Sequence, residues 1–178
     1  SKYYNYQPCR IGGAGLFCAI QASQRRRKVL VIDHSKKIGG KILISGGGRC
    51  NFTNYGASPK QYFSENPHFV KSALARYTPQ NFIELIEEYK IHYHEKKLGQ
   101  LFCDHSALDI VKMLKSECDK KGVTILLDTH FQGVQKCENE NIFKCQTDKN
   151  EFHCESLVIA TGGLSLPKLG ASELGYKI

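Results

Sequence analysis

Residues 45–54, SGGGRCNFTN, place three consecutive glycines directly before Arg49 and Cys50. Glycine loses more conformational entropy on folding than any other residue, so a triplet is expected where φ is positive or where another group approaches the backbone closely. The same composition makes the stretch a poor helix and a poor strand. The pattern therefore predicts an irregular loop that binds something against its bare backbone.

A second glycine segment lies near the start of the chain, where Gly12, Gly13 and Gly15 precede an apolar stretch. Asp33 follows Gly12 by 21 positions and directly succeeds the apolar run 29–32. In dinucleotide-binding folds a helix N-terminus holds the pyrophosphate, and an acid roughly 20 residues further on binds a ribose hydroxyl. The spacing predicts a nucleotide site of this kind.

Alternating helix and strand patterns surround these segments. Apolar residues recur at helical spacing in 14–24 and 106–121, and Gly122 ends the second of these helices. Two further helices are predicted at 67–77 and 79–89, each of which begins with a proline that suits a first helical turn. Strands are expected at 29–32 and 123–127, and a hairpin at 92–95 and 100–103. The two proline-initiated helices read as an inserted helical pair.

The last third of the chain has shorter strands. Residues 131–134, 142–146 and 152–153 are separated by polar turns and predict an antiparallel meander. The run 157–160 predicts another buried strand, which ends at Thr161 and Gly162. The element order is that of an α/β, Rossmann-like FAD-binding fold with a helical insertion and a β-meander.

Composition narrows the class of protein. The chain has 178 residues, of which 41% are hydrophobic and 24% charged, as in soluble globular proteins. It has no apolar run of about 18 residues and no visible secretory signal, so we expect one cytoplasmic domain without a membrane partner. The net charge of +8 is compatible with nucleic acid, an anionic cofactor or nothing specific, and the basic run 25–28 is interpreted as a solvated helix end.

Eight cysteines are scattered without metal-ligand spacing, so no metal site is expected and most thiols are interpreted as small buried hydrophobes. A redox role for Cys50 is not favoured, because no second cysteine stands near it in sequence. His92 and His94 alternate along a predicted strand, and surface positions are the favoured interpretation for both.

Four segments resemble one known family. They are KKIGGKILISGGGRCNFTN at 36–54, NPHFVKSALARYT at 66–78, YHEKKLGQLFCD at 93–104 and LVIATGG at 157–163. In this order they are similar to the BaiN-like flavoproteins, FAD-dependent oxidoreductases related to aminoacetone oxidase. The resemblance covers the whole chain, which it identifies as the N-terminal portion, residues 1–178, of an FAD-binding domain.

The resemblance implies specific cofactor contacts. The glycine turn at the helix start would hold the pyrophosphate, and Asp33 would bind the ribose. The 45–51 loop would lie along the flavin ring. The remaining positions would contact the adenine, the phosphates or the reduced ring. The candidate FAD-binding residues are Gly12, Gly13, Ala14, Gly15, Asp33, His34, Lys41, Ser45, Gly46, Gly47, Gly48, Arg49, Cys50, Asn51, Phe131, Thr161 and Gly162. A solvated role is the alternative for Lys41 and Arg49, and no catalytic residue is assigned.

Two departures from the family pattern keep three functions open. Gln7, Pro8, Cys9 and Arg10 replace the expected aliphatic strand and first glycine, and the chain ends at Ile178, before the family's substrate domain and returning C-terminal segment. The alternatives are an FAD-dependent oxidoreductase, an inactive truncated FAD-binding fragment and a basic non-enzymatic binding module. For the enzyme we expect hydride transfer between flavin and a small-molecule substrate, preferably an activated double bond. NAD(P)H is the candidate electron donor, and nucleic acid is not an expected partner.

Overall fold

The computed structural model describes residues 12–162, which form two compact units. The first comprises the described residues up to Lys41 together with those from Leu114 onward, and the second comprises Ile42–Met113. In chain order the elements are α1 (Gly13–Gln24), β1 (Leu30–Ile32), α2 (Gly40–Ile44), β2 (Asn51–Asn54), α3 (Lys71–Arg76), α4 (Pro79–Glu88), β3 (Tyr93–Glu95), β4 (Gln100–Cys103), α5 (Ala107–Lys120), β5 (Thr124–Leu126), β6 (Phe131–Cys137), β7 (Ile142–Thr147) and β8 (Glu151–Cys154).

The first unit has the α/β pattern predicted from the sequence. Strand β1 pairs in parallel with β5, Leu30 opposite Thr124, and all three β1 residues are buried. A strand covered on both faces needs a continuous apolar run, which 29–32 supplies. Helix α1 contributes buried Leu16, Ala19 and Ile20 to the core and ends at Gln24. The basic run 25–28 that follows is exposed, as predicted.

The antiparallel meander of the first unit is also confirmed. Strand β7 lies between β6 and β8 in the order β6-β7-β8. Phe131 opens β6 opposite Thr147, and the register shifts between Phe131 and Gly133. Strand β6 runs to Cys137, longer than the four residues that the sequence indicated.

The second unit is built on a three-stranded antiparallel sheet with β4 between β2 and β3. The predicted hairpin forms from β3 and β4, with His94 opposite Phe102. Helix α4 begins at Pro79, after a capping box in which Thr78 and Asn81 exchange hydrogen bonds. Its buried residues are Ile83 and Ile86.

Three sequence predictions are wrong in detail. Residues 51–54 form strand β2 despite their poor strand propensity, because the backbone pairs with β4. The helix predicted at 67–77 is shortened to α3, because the amide of His68 bonds the side chain of Asn66 and so competes with helical turns. Within the described range no strand forms at 157–160, and Ile159 is 44% exposed. An apolar run alone cannot supply the neighbouring strand on which pairing depends.

Several sequence predictions fall outside the described residues, namely the altered segment 7–10, Gly163 and the end at Ile178. Between residues 12 and 162, no helix is both long enough and apolar enough to cross a membrane. The same residues contain no cluster of histidine, cysteine or acidic side chains that could hold a metal. All seven cysteines in this range are unbridged thiols; five are buried, in agreement with the predicted packing role.

Candidate functional site

The N-terminus of α1 has the features of an anion site. Gly12 occupies the N-cap position without a side-chain cap, and the first turn contains no acidic residue. Among residues 12–162, nothing would lie within 4 Å of a β-carbon built on Gly12. The first N–H groups of a helix have no intrahelical partner and carry the positive end of its dipole. Gly13, Ala14 and Gly15 form this bare first turn, which suits a phosphate group.

Asp33 lies where β1 ends, as predicted. Its backbone N–H donates to O of Leu126 at 2.9 Å, and its carboxylate Oδ1 accepts the amide of Ser35 at 2.7 Å. The side chain is 3% exposed, and Nδ1 of the neighbouring His34 lies 3.5 Å from Oδ1. A carboxylate at the end of such a strand is the group that binds a ribose hydroxyl in dinucleotide-binding folds.

The structure brings two other candidates of the first unit together. A β-carbon built on Gly162, where φ is +75°, would lie 3.3 Å from Nζ of Lys41. Thr161 and Phe131 are half-buried, Phe131 at the start of β6. The ammonium group of Lys41 therefore lies close to the backbone of Gly162, the last residue that the structure describes. The proposed roles of these four residues toward a cofactor remain predictions.

The glycine loop of the second unit, Ser45–Gly48, follows the short helix α2 and is kinked, with non-helical backbone angles at Gly46 and Gly47. The φ angles of Gly46, Gly47 and Gly48 are 57°, 68° and 86°, in the left-handed region that favours glycine. Oγ of Ser45 donates to O of Ile42 at 2.7 Å, and the Cys50 amide donates to O of Ser45 at 2.9 Å. The predicted need for positive φ is confirmed at all three glycines.

The three glycines differ in what a side chain would meet. A β-carbon on Gly46 would come within 2.8 Å of both N of Asn51 and Cε1 of Phe102. One on Gly47 would meet nothing within 4 Å, and one on Gly48 would meet only O of Leu43 at 3.9 Å. The close approach at Gly46 is thus made by the protein itself. Gly47 leaves a bare backbone surface that an external planar ligand can contact.

Arg49, Cys50 and Asn51 lead from the loop into β2. Arg49 is exposed, and its carbonyl accepts the amide of Cys103 at 2.9 Å. Burial raises the pKa of the Cys50 thiol, and a hydrogen bond with Ser45 offsets only part of this increase. A protonated, 7% exposed thiol is a poor nucleophile. With its amide nitrogen facing the backbone, Asn51 donates to O of Thr53 and O of Leu101.

The sequence analysis did not identify Phe102 as a neighbour of this loop, or Asp104 as the partner of His94. Phe102 is 8% exposed and packs on Gly46, while Oδ1 of Asp104 lies 2.7 Å from Nδ1 of His94. The predicted β3–β4 hairpin contained the signal, because its register aligns His94 with Phe102. What the sequence lacked was the pairing of β2 with β4.

Within each unit, the described residues fit FAD. In the first unit, the bare start of α1 suits the diphosphate and Asp33 the ribose. In the second, Gly47 offers open backbone for the ring. Bound FAD would supply hydride chemistry, which side chains cannot perform. The protein would contribute binding, orientation and proton transfer.

Several known proteins are similar to this chain in sequence or in fold. Residues 11–178 match the family described as HI0933-like protein Rossmann domain. The chain is 55% identical over 169 residues to ribosomal RNA dihydrouridine synthase of Haemophilus influenzae and 55% identical over 167 residues to the protein of the same name in Escherichia coli K12. Each alignment covers 94% of this chain, and 42% and 41% of the respective relative.

The fold has counterparts among solved structures. The crystal structure of OTEMO in complex with FAD and NADP superposes with a TM-score of 0.57 at 17% identity, over 93% of this chain and 26% of that one. At such identity the likeness concerns the fold alone, a mixed α/β Rossmann-type domain. The chain spans about two fifths of the length of the curated relatives it matches. With a family match over nearly its whole length, the chain belongs to the HI0933-like Rossmann-domain family, the BaiN-like group that its motifs resemble.

Proposed function

We propose that this chain is the FAD-binding part of a flavin-dependent oxidoreductase that reduces a uridine of ribosomal RNA to dihydrouridine. The proposed substrate rests on the 55% identity, over 94% of the chain, to two proteins named ribosomal RNA dihydrouridine synthase. The net charge of +8 favours a polyanionic substrate. This proposal sets aside the expectation from the sequence that nucleic acid is not a partner.

The reaction agrees with the sequence-based preference for an activated double bond. The C5–C6 bond of uracil is conjugated with the C4 carbonyl, so C6 accepts a hydride and C5 then accepts a proton. Reduced FAD supplies the hydride, and NAD(P)H is the proposed electron donor. The protein's own task is to hold the cofactor, to bind the RNA and to deliver the proton.

The cofactor contacts that we propose follow the two units. The N–H groups at the start of α1 bind the diphosphate, with Lys41 adding positive charge, and Asp33 accepts from the ribose. Backbone of the glycine loop, above all at Gly47, contacts the isoalloxazine ring. The glycine-rich start of α1 and the positive φ of the loop support this assignment.

Complementation tests the proposed function. An Escherichia coli strain lacking its own ribosomal RNA dihydrouridine synthase is given the longest form of this protein that its gene encodes. Ribosomal RNA is then digested, and dihydrouridine is quantified by mass spectrometry. We expect the modified nucleoside to return with the wild-type gene and to stay absent with an Asp33→Ala variant of equal abundance. A strain that makes the stable protein but no dihydrouridine would contradict the proposal.

The alternative of a basic, non-enzymatic binding module makes a different prediction. Such a protein would bind RNA in a salt-dependent way but would carry no flavin. The absorption spectrum of the purified protein separates the two, because only the oxidoreductase should retain a yellow chromophore in proportion to protein.

A further inference from the structure

Three side chains form a row across the sheet of the second unit. Asn51 of β2 is opposite Phe102 of β4, and Phe102 is opposite His94 of β3. Directly opposite residues of antiparallel strands project from the same face, and neighbouring strands lie roughly 4.8 Å apart. Because Gly46 lies against the Phe102 ring, the row leads from the glycine loop to the imidazole of His94.

His94 is held in one orientation by two contacts. Its Nδ1 lies 2.7 Å from Oδ1 of Asp104, and its ring stacks with Phe102 at a centroid distance of 6.3 Å and an interplanar angle of 21°. The side chain is 42% exposed. Among the described residues, nothing hydrogen-bonds Nε2 of His94. The imidazole is therefore fixed through one nitrogen, and the other is left for a partner from outside.

From this geometry, and resting on the proposed function, we infer that His94 donates the proton that completes reduction of the uridine double bond. Bound reduced flavin would supply the hydride that forms the C6–H bond, which shifts the π electron pair of the C5–C6 bond toward C5 and the C4 carbonyl as an enolate. The Nε2–H bond of protonated His94 then breaks as the C5–H bond forms. Solvent returns the proton to His94, so charge and electrons balance.

Asp104 is the positioning residue in this arrangement. In a protonated imidazole both nitrogens are donors. Nδ1–H donates a hydrogen bond to the Asp104 carboxylate, and this bond fixes the orientation of the ring. Nε2–H is then the donor that remains for the substrate. This division of labour is that of other histidine–carboxylate pairs, in which the acid orients the ring and does not itself transfer the proton.

The first unit contains a matched control. Nε2 of His153 lies 2.7 Å from Oε1 of Glu151, the same distance as in the His94–Asp104 pair. This second pair belongs to strand β8 of the meander, in the first unit. Variants of His153 therefore report what the loss of a histidine–carboxylate pair in the first unit does.

The kinetic experiment separates the two half-reactions in the longest form of the protein, loaded with FAD. In His94→Gln we expect flavin reduction by NADPH to be unchanged, while anaerobic reoxidation by protein-free ribosomal RNA slows roughly 100-fold or more, the usual contribution of a general acid. Asp104→Asn should slow the same step by a smaller factor. Imidazole in solution should partly restore reoxidation in His94→Gly, and His153→Gln should behave as wild type.

A second readout does not depend on activity. Diethyl pyrocarbonate modifies accessible imidazoles, and mass spectrometry locates the product. We expect bound ribosomal RNA to protect His94 but not His153, because only His94 is proposed to touch the substrate. Equal modification of His94 with and without bound RNA would overturn the inference.

The outcomes distinguish this inference from the proposed function. Wild-type protein whose flavin is not reoxidised by ribosomal RNA would contradict the function, and with it the role of His94. An active wild type matched by an equally active His94→Gln would leave the function standing and refute only the proton-donor role. A loss shared equally by His94→Gln and His153→Gln would also refute that role, since it would reflect stability.

Discussion

Gly46 lies so close to Phe102 that a β-carbon on the glycine would come within 2.8 Å of Cε1 of the ring. The same β-carbon would also lie 2.8 Å from the backbone nitrogen of Asn51. The first glycine of the triplet is therefore required by the protein's own packing. Its neighbour Gly47 has positive φ, but a β-carbon there would meet no described atom within 4 Å. A substitution at Gly46 therefore tests packing, and one at Gly47 tests contact with a ligand.

Substitutions at these two glycines should consequently have different effects. Gly46→Ala should destabilise the protein by roughly 2–4 kcal/mol, because a clash adds to the strain of positive φ. Gly47→Ala should cost only about 1 kcal/mol, from the backbone conformation alone. Urea unfolding followed by circular dichroism measures both values. Equal losses at the two positions would show that packing on Phe102 is not what distinguishes them.

Bulk at Gly47 should act on the cofactor. In Gly47→Leu the side chain projects into the space that we assign to the flavin ring, so FAD occupancy should fall well below that of Gly47→Ala. The ratio of flavin absorbance to protein absorbance after purification gives the occupancy, and Gly47→Ala controls for backbone strain. Full occupancy in the leucine variant would remove the loop from the cofactor site.

A carboxylate at position 12 should stabilise the fold while weakening FAD. Gly12 has φ of −94°, and among residues 12–162 nothing lies within 4 Å of a β-carbon built on it, so this position can be substituted. Gly12→Asp adds an N-cap and a negative charge at the helix start, which together contribute about 0.3–1 kcal/mol of stability. The same charge repels a diphosphate. Gly12→Asn is the control, since it caps the helix without charge and should retain more FAD. Undiminished FAD affinity in Gly12→Asp would contradict a phosphate site at α1.

Asp33 can be tested without disturbing its turn. Asp33→Asn keeps the Oδ1 acceptor for the amide of Ser35 but removes the charge. Its FAD affinity should fall by roughly 1.5–3 kcal/mol, the range for hydrogen bonds to charged groups. Asp119→Asn, which removes an exposed carboxylate on α5, serves as the control. Fluorescence titration of apoprotein with FAD provides the dissociation constants, and identical values for Asp33→Asn and wild type would exclude the ribose contact.

The buried thiols should make the folded state less stable at alkaline pH. Burial raises the pKa of Cys103 to about 12 and that of Cys118 to about 11, from an ordinary value of 9.0. The folded state then holds protons that the unfolded state has released, so stability falls as pH rises above about 9. The free energy of unfolding, measured by urea denaturation between about pH 8 and pH 11, should decline less steeply in Cys103→Ala than in wild type. Parallel slopes would argue against this contribution.

Local patterns in the sequence anticipated the elements that depend on neighbouring residues. Apolar spacing predicted α1 and α5, and the continuous run 29–32 predicted the buried strand β1. Prediction failed where distant partners decide. Residues 51–54 became a strand only through β4, some fifty positions away, and 157–160 did not become one within the described chain.

The candidate site divides in the same way. The glycine spacing and Asp33 could be read locally, because a helix start and a strand end are set by nearby residues. The packing of Phe102 on Gly46 and the pairing of His94 with Asp104 depend on the register of three strands. Composition carries no information on that register. For this reason the sequence alone could not identify a catalytic residue.

Anaerobic reoxidation of the reduced flavin tests the central claim most directly. The longest form of the protein, loaded with FAD and reduced with NADPH, is mixed with protein-free ribosomal RNA that lacks dihydrouridine. The flavin spectrum and the dihydrouridine content are followed together. We expect one dihydrouridine to appear for each flavin reoxidised. A flavin that stays reduced in the presence of this RNA, or that is reoxidised without forming dihydrouridine, would contradict the account.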